Sequence, residues 1–352
     1  MSTGQSTRAS RLSLRRLRGA AVPIAALTIL GLAACGSGSG NGTGGATGGN
    51  GGDGAGYPDG PITIVVPFSA GGPTDTVTRL IAEPMGKELG AQIVVQNVEG
   101  AGGTLGAAEV ADAEPNGQKV LMYHIGMSTS PSLYPDLAYK PLESFKTVGL
   151  VTTVPMTIIA KKDFPPNTFQ DLVTYVKANA GTINLANAGK GAASHLCGLL
   201  MQKSFGVKLN EVAYKGTGPA MTDLVGGQVD LMCDQTTNTT GQITAGKVKA
   251  YAATTAERVS SLPDLPTTAE AGMPDLQVGV WHGLYVPAET PDAVVKKLND
   301  ALKVALKDQK VVSKMADLGT APVSDAEATP EALTKLLTEQ ITLWEPILKA
   351  AG

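Results

Sequence analysis

The sequence is poor in aromatic residues, which make up 4% of it, and in charge, with 17% Asp, Glu, Lys and Arg. Few aromatics mean that any core is built from Val, Leu, Ile, Ala and Met, and a hydrophobic content of 43% over 352 residues suffices for two domains. There are only three histidines, His124, His195 and His282, far apart and without metal-ligand spacing, so nothing in the sequence asks for a metal. No basic excess exists either. Residues 1–34 contain Arg8, Arg11, Arg15, Arg16 and Arg18 and no acid; without those five of the 28 basic residues, 23 face 31 acidic ones, a net charge of −8. That balance argues against nucleic acid as a partner, and it requires an anionic ligand to be held by local donors rather than by the overall field.

The arginines lead into residues 19–34, an apolar stretch too short to span a bilayer comfortably and of the length of a signal-peptide core. It closes on Leu32-Ala33-Ala34-Cys35, which resembles the lipobox of bacterial lipoproteins. That resemblance implies cleavage before Cys35 and lipidation of its thiol; the alternative is an ordinary signal peptide with an incidental cysteine. Arg15-Arg16 has flanks that fit twin-arginine export poorly. Residues 36–56 are almost wholly Gly, Ser, Asn, Thr and Ala, with nothing to bury. The expected organisation is a lipoprotein signal peptide over 1–34, a lipidated cysteine and tether over 35–60, and a body held at the extracytoplasmic face of the membrane.

The body is organised around residues 62–75. Ile62, Ile64, Val65 and Val66 form a β-branched run between Pro61 and Pro67, the pattern of a buried strand. Gly71-Gly72 breaks the chain, and Pro73-Thr74-Asp75 restarts it as a helix with Val77, Leu80, Ile81 and Met85 on one face. Pro84 is expected to kink that helix or end it early. A strand, a glycine turn and a helix N-terminus place unpaired N–H groups and the positive end of a helix dipole at one spot, which is an anion site.

The pattern recurs. Ile93-Val94-Val95 precedes Gly100-Ala101-Gly102-Gly103-Thr104 and a helix; the spacing does not fit G-x-G-x-x-G, so no dinucleotide site is read there. Residues 120–124 are a third strand, ending at Gly126-Met127-Ser128. Residues 148–161 leave the first lobe, and a second series follows. It comprises a helix over 169–179, a strand over 183–187, the turn Gly189-Lys190-Gly191 and a helix over 194–205. Then come the turn Lys215-Gly216-Thr217-Gly218-Pro219, a helix through Leu224, and strands over 229–233 and 249–253. Residues 278–286 return the chain, and the remainder is helical. Two α/β units with a hinge suggest a cleft, with ligands at the carboxyl ends of strands.

Ser194-His195 is the place to look for nucleophilic catalysis, but adjacent helical residues point roughly 100° apart and Ser there makes a good N-terminal cap. Cys197 and Cys233 remain after Cys35, and an exported pair commonly forms a disulfide; the alternative is two buried thiols. Asp75 is a ligand contact or simply caps its turn. Lys190 and Lys215 are possible counter-charges.

From about Pro61 to its end the chain resembles the substrate-binding proteins of tripartite tricarboxylate transporters, the TctC or Bug family. The matching stretches are Val66-Pro67-Phe68 with Gly71-Gly72 and Asp75, Gly100-Ala101-Gly102-Gly103, Ser194-His195-Leu196, and Tyr214-Lys215-Gly216 with Pro219-Ala220. They continue through Asp223-Leu224, Gly226-Gly227-Gln228-Val229-Asp230, Pro266-Thr267 with Glu270-Ala271-Gly272, and Trp281 with Gly283. The resemblance implies an α/β, two-lobed, type II periplasmic-binding-protein fold, divided as 61–163 with 284–352 against 164–283, with a parallel-rich sheet in each lobe. It implies no enzymatic activity and no cofactor, a monomer, and two partners: a small carboxylate, di- or tricarboxylate or aromatic acid, and a membrane permease.

Carried onto this sequence, one carboxylate lies over Phe68, Ser69, Ala70, Gly71, Gly72, Thr74 and Asp75 and the turn at Gly102, Gly103 and Thr104. The second lobe closes with Gly189, Ser194, His195, Gly216, Thr217 and Asp234-Gln235, while His124, Gly126 and Ser128 line the floor. Rival readings are an exported hydrolase using Ser194 and His195, and a structural lipoprotein without a ligand.

Overall fold

Buried β-branched residues make Ile62–Val66 the axis of a first sheet in the computed structural model of the chain, which describes residues 56–351. The expected signal peptide, Cys35 and the glycine-rich stretch up to residue 55 lie outside the described residues. The body starts earlier than Pro61. Tyr57 fits over Gly117, donates its hydroxyl to Gly117 O at 2.9 Å, and accepts from Lys297 Nζ through its carbonyl at 2.9 Å.

In chain order the first elements are β1 (Ile62–Val66), α1 (Pro73–Leu89), β2 (Ile93–Asn97), α2 (Thr104–Ala111), β3 (Lys119–His124), α3 (Gly126–Leu133) and β4 (Phe145–Lys161). Then follow α4 (Phe169–Asn179), β5 (Asn184–Asn187), α5 (Ala193–Phe205), β6 (Asn210–Ala213), α6 (Thr217–Val225), β7 (Leu231–Gln235), α7 (Thr236–Thr244) and β8 (Val248–Ala253). The chain ends with β9 (Gly279–Pro287), α8 (Asp292–Lys307), α9 (Gln309–Asp317) and α10 (Pro330–Ala351).

The strands run in the order β2-β1-β3-β9-β4-β7-β5-β6, with β8 also on β4. β1 is parallel to β2 and β3, and β5 is parallel to β6 and β7. Helical crossovers of this kind cover both faces, which is why β1 is a nearly unbroken apolar run instead of an alternating one. The long strand β4 joins the two lobes. Up to Pro155 it pairs antiparallel with β9, and from Met156 onward with β7 and β8. Pro155 has no N–H to give to a ladder and stands at the changeover. Behind it, Thr320 bonds Thr152 Oγ1 at 2.7 Å and Thr153 O at 2.9 Å, and Thr236 Oγ1 donates to Gly319 O at 3.1 Å, so one loop braces both sides of the crossing.

Three expectations need correction. α1 runs through Pro84 to Leu89, because the proline forfeits one backbone bond while Met85 beyond it is fully buried. β7 begins two residues later than expected and therefore carries Asp234 and Gln235 at its carboxyl end. α7, Thr-Thr-Asn-Thr-Thr-Gly-Gln-Ile-Thr, has no apolar stripe and was not expected as a helix; tertiary bonds such as Thr157 Oγ1 to Thr239 Oγ1 at 2.8 Å hold it.

Candidate functional site

The carboxyl ends of β1, β3, β5 and β7 surround one small cavity of about 20 Å³. That is room for one or two waters, so the lobes are closed on each other. Phe68, Gly72, Pro73 and Thr74 come from the turn after β1, and His124 from the end of β3. Ala188, Ala192, Ala193 and Ser194 follow β5, Thr217 follows β6, and Asp234 and Gln235 end β7.

Four helices, α1, α5, α6 and α7, begin at this cavity. Their N-caps are Gly72, Ala192, Gly216 and Gln235, and none makes a side-chain capping bond. Of the other helices, α4 has a capping box of Thr168 and Asp171 and α9 is capped by Asp308, which accepts from Lys310 and Val311, whereas α2, α3 and α8 also lack a side-chain cap. An acceptor placed where the four first turns converge gains their N–H groups and dipoles. No Lys or Arg lines the cavity.

The side chains add neutral donors. Ser194 Oγ accepts from Ala188 N–H at 2.8 Å, which leaves its own proton to give. Gly126 N–H donates to His124 Nδ1 at 2.9 Å and so fixes the ring proton on Nε2. His124 stacks on Phe68 at 4.7 Å and meets the edge of His282 at 5.8 Å. Burial, with the neighbouring His282 second, holds His124 well below its ordinary pKa, and burial lowers His282 to about 3. Thr74 Oγ1 lies 3.3 Å from His282 Nε2.

Around the cavity the lobes touch through backbone carbonyls of the second lobe. Ser69 N–H donates to Lys215 O at 3.1 Å, Tyr134 Oη to Lys190 O at 2.7 Å, and Thr129 Oγ1 to Gly191 O at 3.2 Å. Glycine is needed at two of these contacts. A Cβ at Gly102 would overlap Lys190 O, and one at Gly216 would overlap Ser69 Oγ and stand 2.9 Å from Ser69 N. Ala70 faces Gly218 in the same seam, while Gly189 faces Gly102 and Gly71 holds a left-handed φ of 77°. Beneath the cavity Cys197 and Cys233 are disulfide-bonded with a Cα–Cα distance of 5.9 Å, one turn beyond Ser194 and one residue before Asp234.

Of the residues expected from the sequence, Phe68, Gly72, Thr74, His124, Ser194, Thr217 and Asp234 come together on the cavity wall. Ser69, Ala70, Gly102, Gly189 and Gly216 form the seam. Seven others, Gly71 among them, do not line the cavity. Asp75 turns back to accept from Gly71 N–H at 2.9 Å, Arg79 Nε at 2.9 Å and Asn97 Nδ2 at 3.0 Å. Burial would raise its carboxyl, but these bonds outweigh it and hold it below the usual range. His195 accepts from Gly191 N–H through Nδ1 at 3.2 Å and sets Nε2 3.5 Å from Glu211, away from Ser194. Gly103 and Gly126 pack on Tyr123, and Thr104 and Ser128 donate to carbonyls of their own turns. Ala188, Ala192 and Ala193 are wall residues with no sequence signal, since only the placement of α5 makes them so.

Asp234 is the exception among the donors. Burial raises its carboxyl to about 6, and bonds from Asn238, the Gln235 N–H and Thr217 offset only part of that. A folded-state value above the unfolded one means that the ionised form destabilises the fold above about pH 6, and that this penalty fades as pH falls toward 4. Asp234→Asn is expected to stabilise the ligand-free protein at pH 7.5 by on the order of 3 kcal/mol, with the gap in Tm closing by pH 4. A gap independent of pH would contradict this.

Two larger grooves, each about 760 Å³, lie elsewhere, one along α8 and α10 and one along α1 and α9. Exposed ion pairs lie along them, Lys146 with Asp292 and Lys310 with Glu83, and neither gathers several helix N-termini as the small cavity does.

Residues 77–352 match the family model described as the tripartite tricarboxylate transporter family receptor. A UPF0065 protein from the TAR-I ttuE-ttuC' intergenic region of Agrobacterium vitis is 53% identical over 84% of this chain and 86% of its own. The structure of the periplasmic binding protein BugD superposes with a TM-score of 0.83 at 54% identity, over 84% of this chain and 99% of that one. MatC from Rhodopseudomonas palustris with bound malate superposes with a TM-score of 0.81 at 42% identity, over 83% of this chain and 100% of that one.

Proposed function

The chain belongs to the tripartite tricarboxylate transporter receptor family, and from that premise we propose that it captures a small carboxylate between its lobes and delivers it to a membrane permease. It is an extracytoplasmic solute-binding protein of this family, not an enzyme. The observation that carries the ligand class is the convergence of four uncapped helix N-termini on one closed cavity without a lysine or arginine. Such a wall binds an anion through N–H groups, Ser194 and the Nε2–H of His124, and malate in the related MatC supports a carboxylate. No hydrogen bond joins Ser194 to a base among the described residues: its Oγ accepts from Ala188 N–H and His195 faces Glu211, which disfavours the hydrolase alternative.

The proposed lobes are 61–163 with 284–352 and 164–283, bending where β4 changes partners at Pro155 and Met156. The protein acts as a monomer, anchored by lipid on Cys35 behind a glycine-rich tether, and the closed seam offers the permease a surface that the open form lacks.

A thermal-shift screen of the purified protein against mono-, di- and tricarboxylates, with sugars as controls, tests the ligand class. A ligand at a hundred times its Kd adds about 2.7 kcal/mol, roughly 4 °C for a body of this size. Stabilisation by sugars alone, or by nothing in the panel, would reject it.

A further inference from the structure

The glycine turns after β1 and β5 are held by the same device. In the first lobe Asp75, four residues beyond Gly71, accepts the Gly71 N–H; in the second His195, four residues beyond Gly191, accepts the Gly191 N–H through Nδ1 at 3.2 Å. A side chain from another element backs each acceptor. Asn97 of β2 bonds Asp75, and Glu211 of β6 sets a carboxylate oxygen 3.5 Å from His195 Nε2. The two acceptors differ in chemistry. Asp75 is held below the usual carboxylate range and goes on accepting on mild acidification. An imidazole accepts through Nδ1 only while neutral, and imidazoles ordinarily gain their second proton at about pH 6.5.

Glu211 decides what gives way. The bond from His195, opposed by burial and helped by Gln202, holds its carboxyl below the usual range, so it is ionised when the ring takes up a proton. A protonated ring keeps its ion pair through Nε2 and turns Nδ1–H against Gly191 N–H, so the turn is what has to move. In the closed form it is pinned: Gly191 O accepts from Thr129 and Lys190 O from Tyr134, both across the seam. Away from the first lobe, Gly189 and Gly191, with φ of 97° and 83°, let it swing aside. Closure and protonation of the ring therefore oppose each other. Resting on the reading above, in which the lobes close on a ligand, we propose that His195 is a positioning residue that holds the second-lobe turn for closure while its ring is neutral, so that mild acid releases the ligand.

The other charged groups about the ring are Lys203 and Lys208, in a groove shared with Glu211, and Lys190 of the turn; α10 brings Trp344, Ile347 and Leu348 to that groove. Tyr134, raised by burial, stays neutral. His124 and His282 are held too low to titrate in this range. Asp234, raised to about 6, does titrate, but its neutralisation strengthens the binding of an anion, the opposite sign.

The test is calorimetric titration of the full chain at about pH 7.5 and about pH 5.5 with malate, or with the tightest carboxylate of the screen if malate does not bind. Acidification is expected to weaken binding about 10-fold more in the wild type than in His195→Gln, whose amide oxygen accepts at both pH values. Glu211→Gln keeps the imidazole but removes its ion pair, and moves the loss of affinity to lower pH. Nuclear magnetic resonance gives a readout without ligand or substitution: the Gly191 amide resonance shifts with the same midpoint as the His195 ring, and ligand moves that midpoint down. Equal pH dependence in wild type and His195→Gln, or a Gly191 amide that does not follow the ring, overturns the proposal and leaves the carboxylate reading standing. Failure of every carboxylate in the screen to bind overturns the reading on which it rests.

Discussion

Gly216→Ala is expected to lower carboxylate affinity about 100-fold while leaving the melting temperature of the ligand-free protein nearly unchanged. The backbone at Gly216, with φ 162° and ψ 165°, is extended and acceptable to alanine, so the second lobe itself is not strained. The added Cβ meets the first lobe instead, overlapping Ser69 Oγ and lying 2.9 Å from Ser69 N, next to the bond from Ser69 N to Lys215 O. Rotating the serine hydroxyl does not relieve a contact with its backbone nitrogen, so the lobes have to stay apart. If the closed state falls to about 1% of molecules, apparent affinity falls by the same factor. Calorimetry gives the affinity, and small-angle scattering shows whether ligand still contracts the particle. Gly241→Ala is the control, since a Cβ there meets nothing within 4 Å. Wild-type affinity and contraction in Gly216→Ala would remove this seam from the mechanism. Gly102→Ala is a poorer test, because a left-handed φ of 63° would strain the first lobe as well.

Removing the disulfide is expected to have the largest effect on stability. Cys197 and Cys233 close a loop with a sequence separation of 36, for which the chain-entropy account gives about 4 kcal/mol. Spread over a body of nearly three hundred residues, that lowers Tm by about 6 °C. The double variant Cys197→Ala with Cys233→Ala is the appropriate form, since both sulfurs are fully buried and a polar replacement would add a desolvation penalty of its own. Differential scanning calorimetry measures the shift, and a Tm within 1 °C of the wild type would show that packing alone fixes α5 on β7. Affinity should fall too, because the bond ties the turn carrying Ser194 to the strand carrying Asp234.

The two-lobed α/β fold and its strand-turn-helix units were legible in the sequence because the relevant signals are local. A β-branched run such as Ile62–Val66 and a glycine turn followed by Pro73 need no distant partner to be read. The apolar stripe of α8 is equally local. The Thr-rich helix α7 was not legible, since its residues have poor helix propensity and the hydroxyls of Thr236, Thr239 and Thr240 find their partners in β4 and the loop before Thr320. Pro84 misled for the same reason: a local rule predicts a break, and burial of Met85 overrides it.

That strands end in glycine turns opening helices, and hence that anion-binding N-termini exist, follows from the local pattern of residues. Which residues of those turns face a ligand depends on how distant elements pack. Asp75 and His195 stand in the right motifs but are claimed by Arg79, Asn97 and Glu211, partners that the fold brings up from other elements. The glycines were expected to cradle an anion, whereas Gly102 and Gly216 serve as places where two backbones meet. A missing side chain looks the same in sequence whether the space it leaves belongs to a ligand or to the opposite lobe. Only the placement of Lys190 and Ser69 against those glycines distinguishes the two.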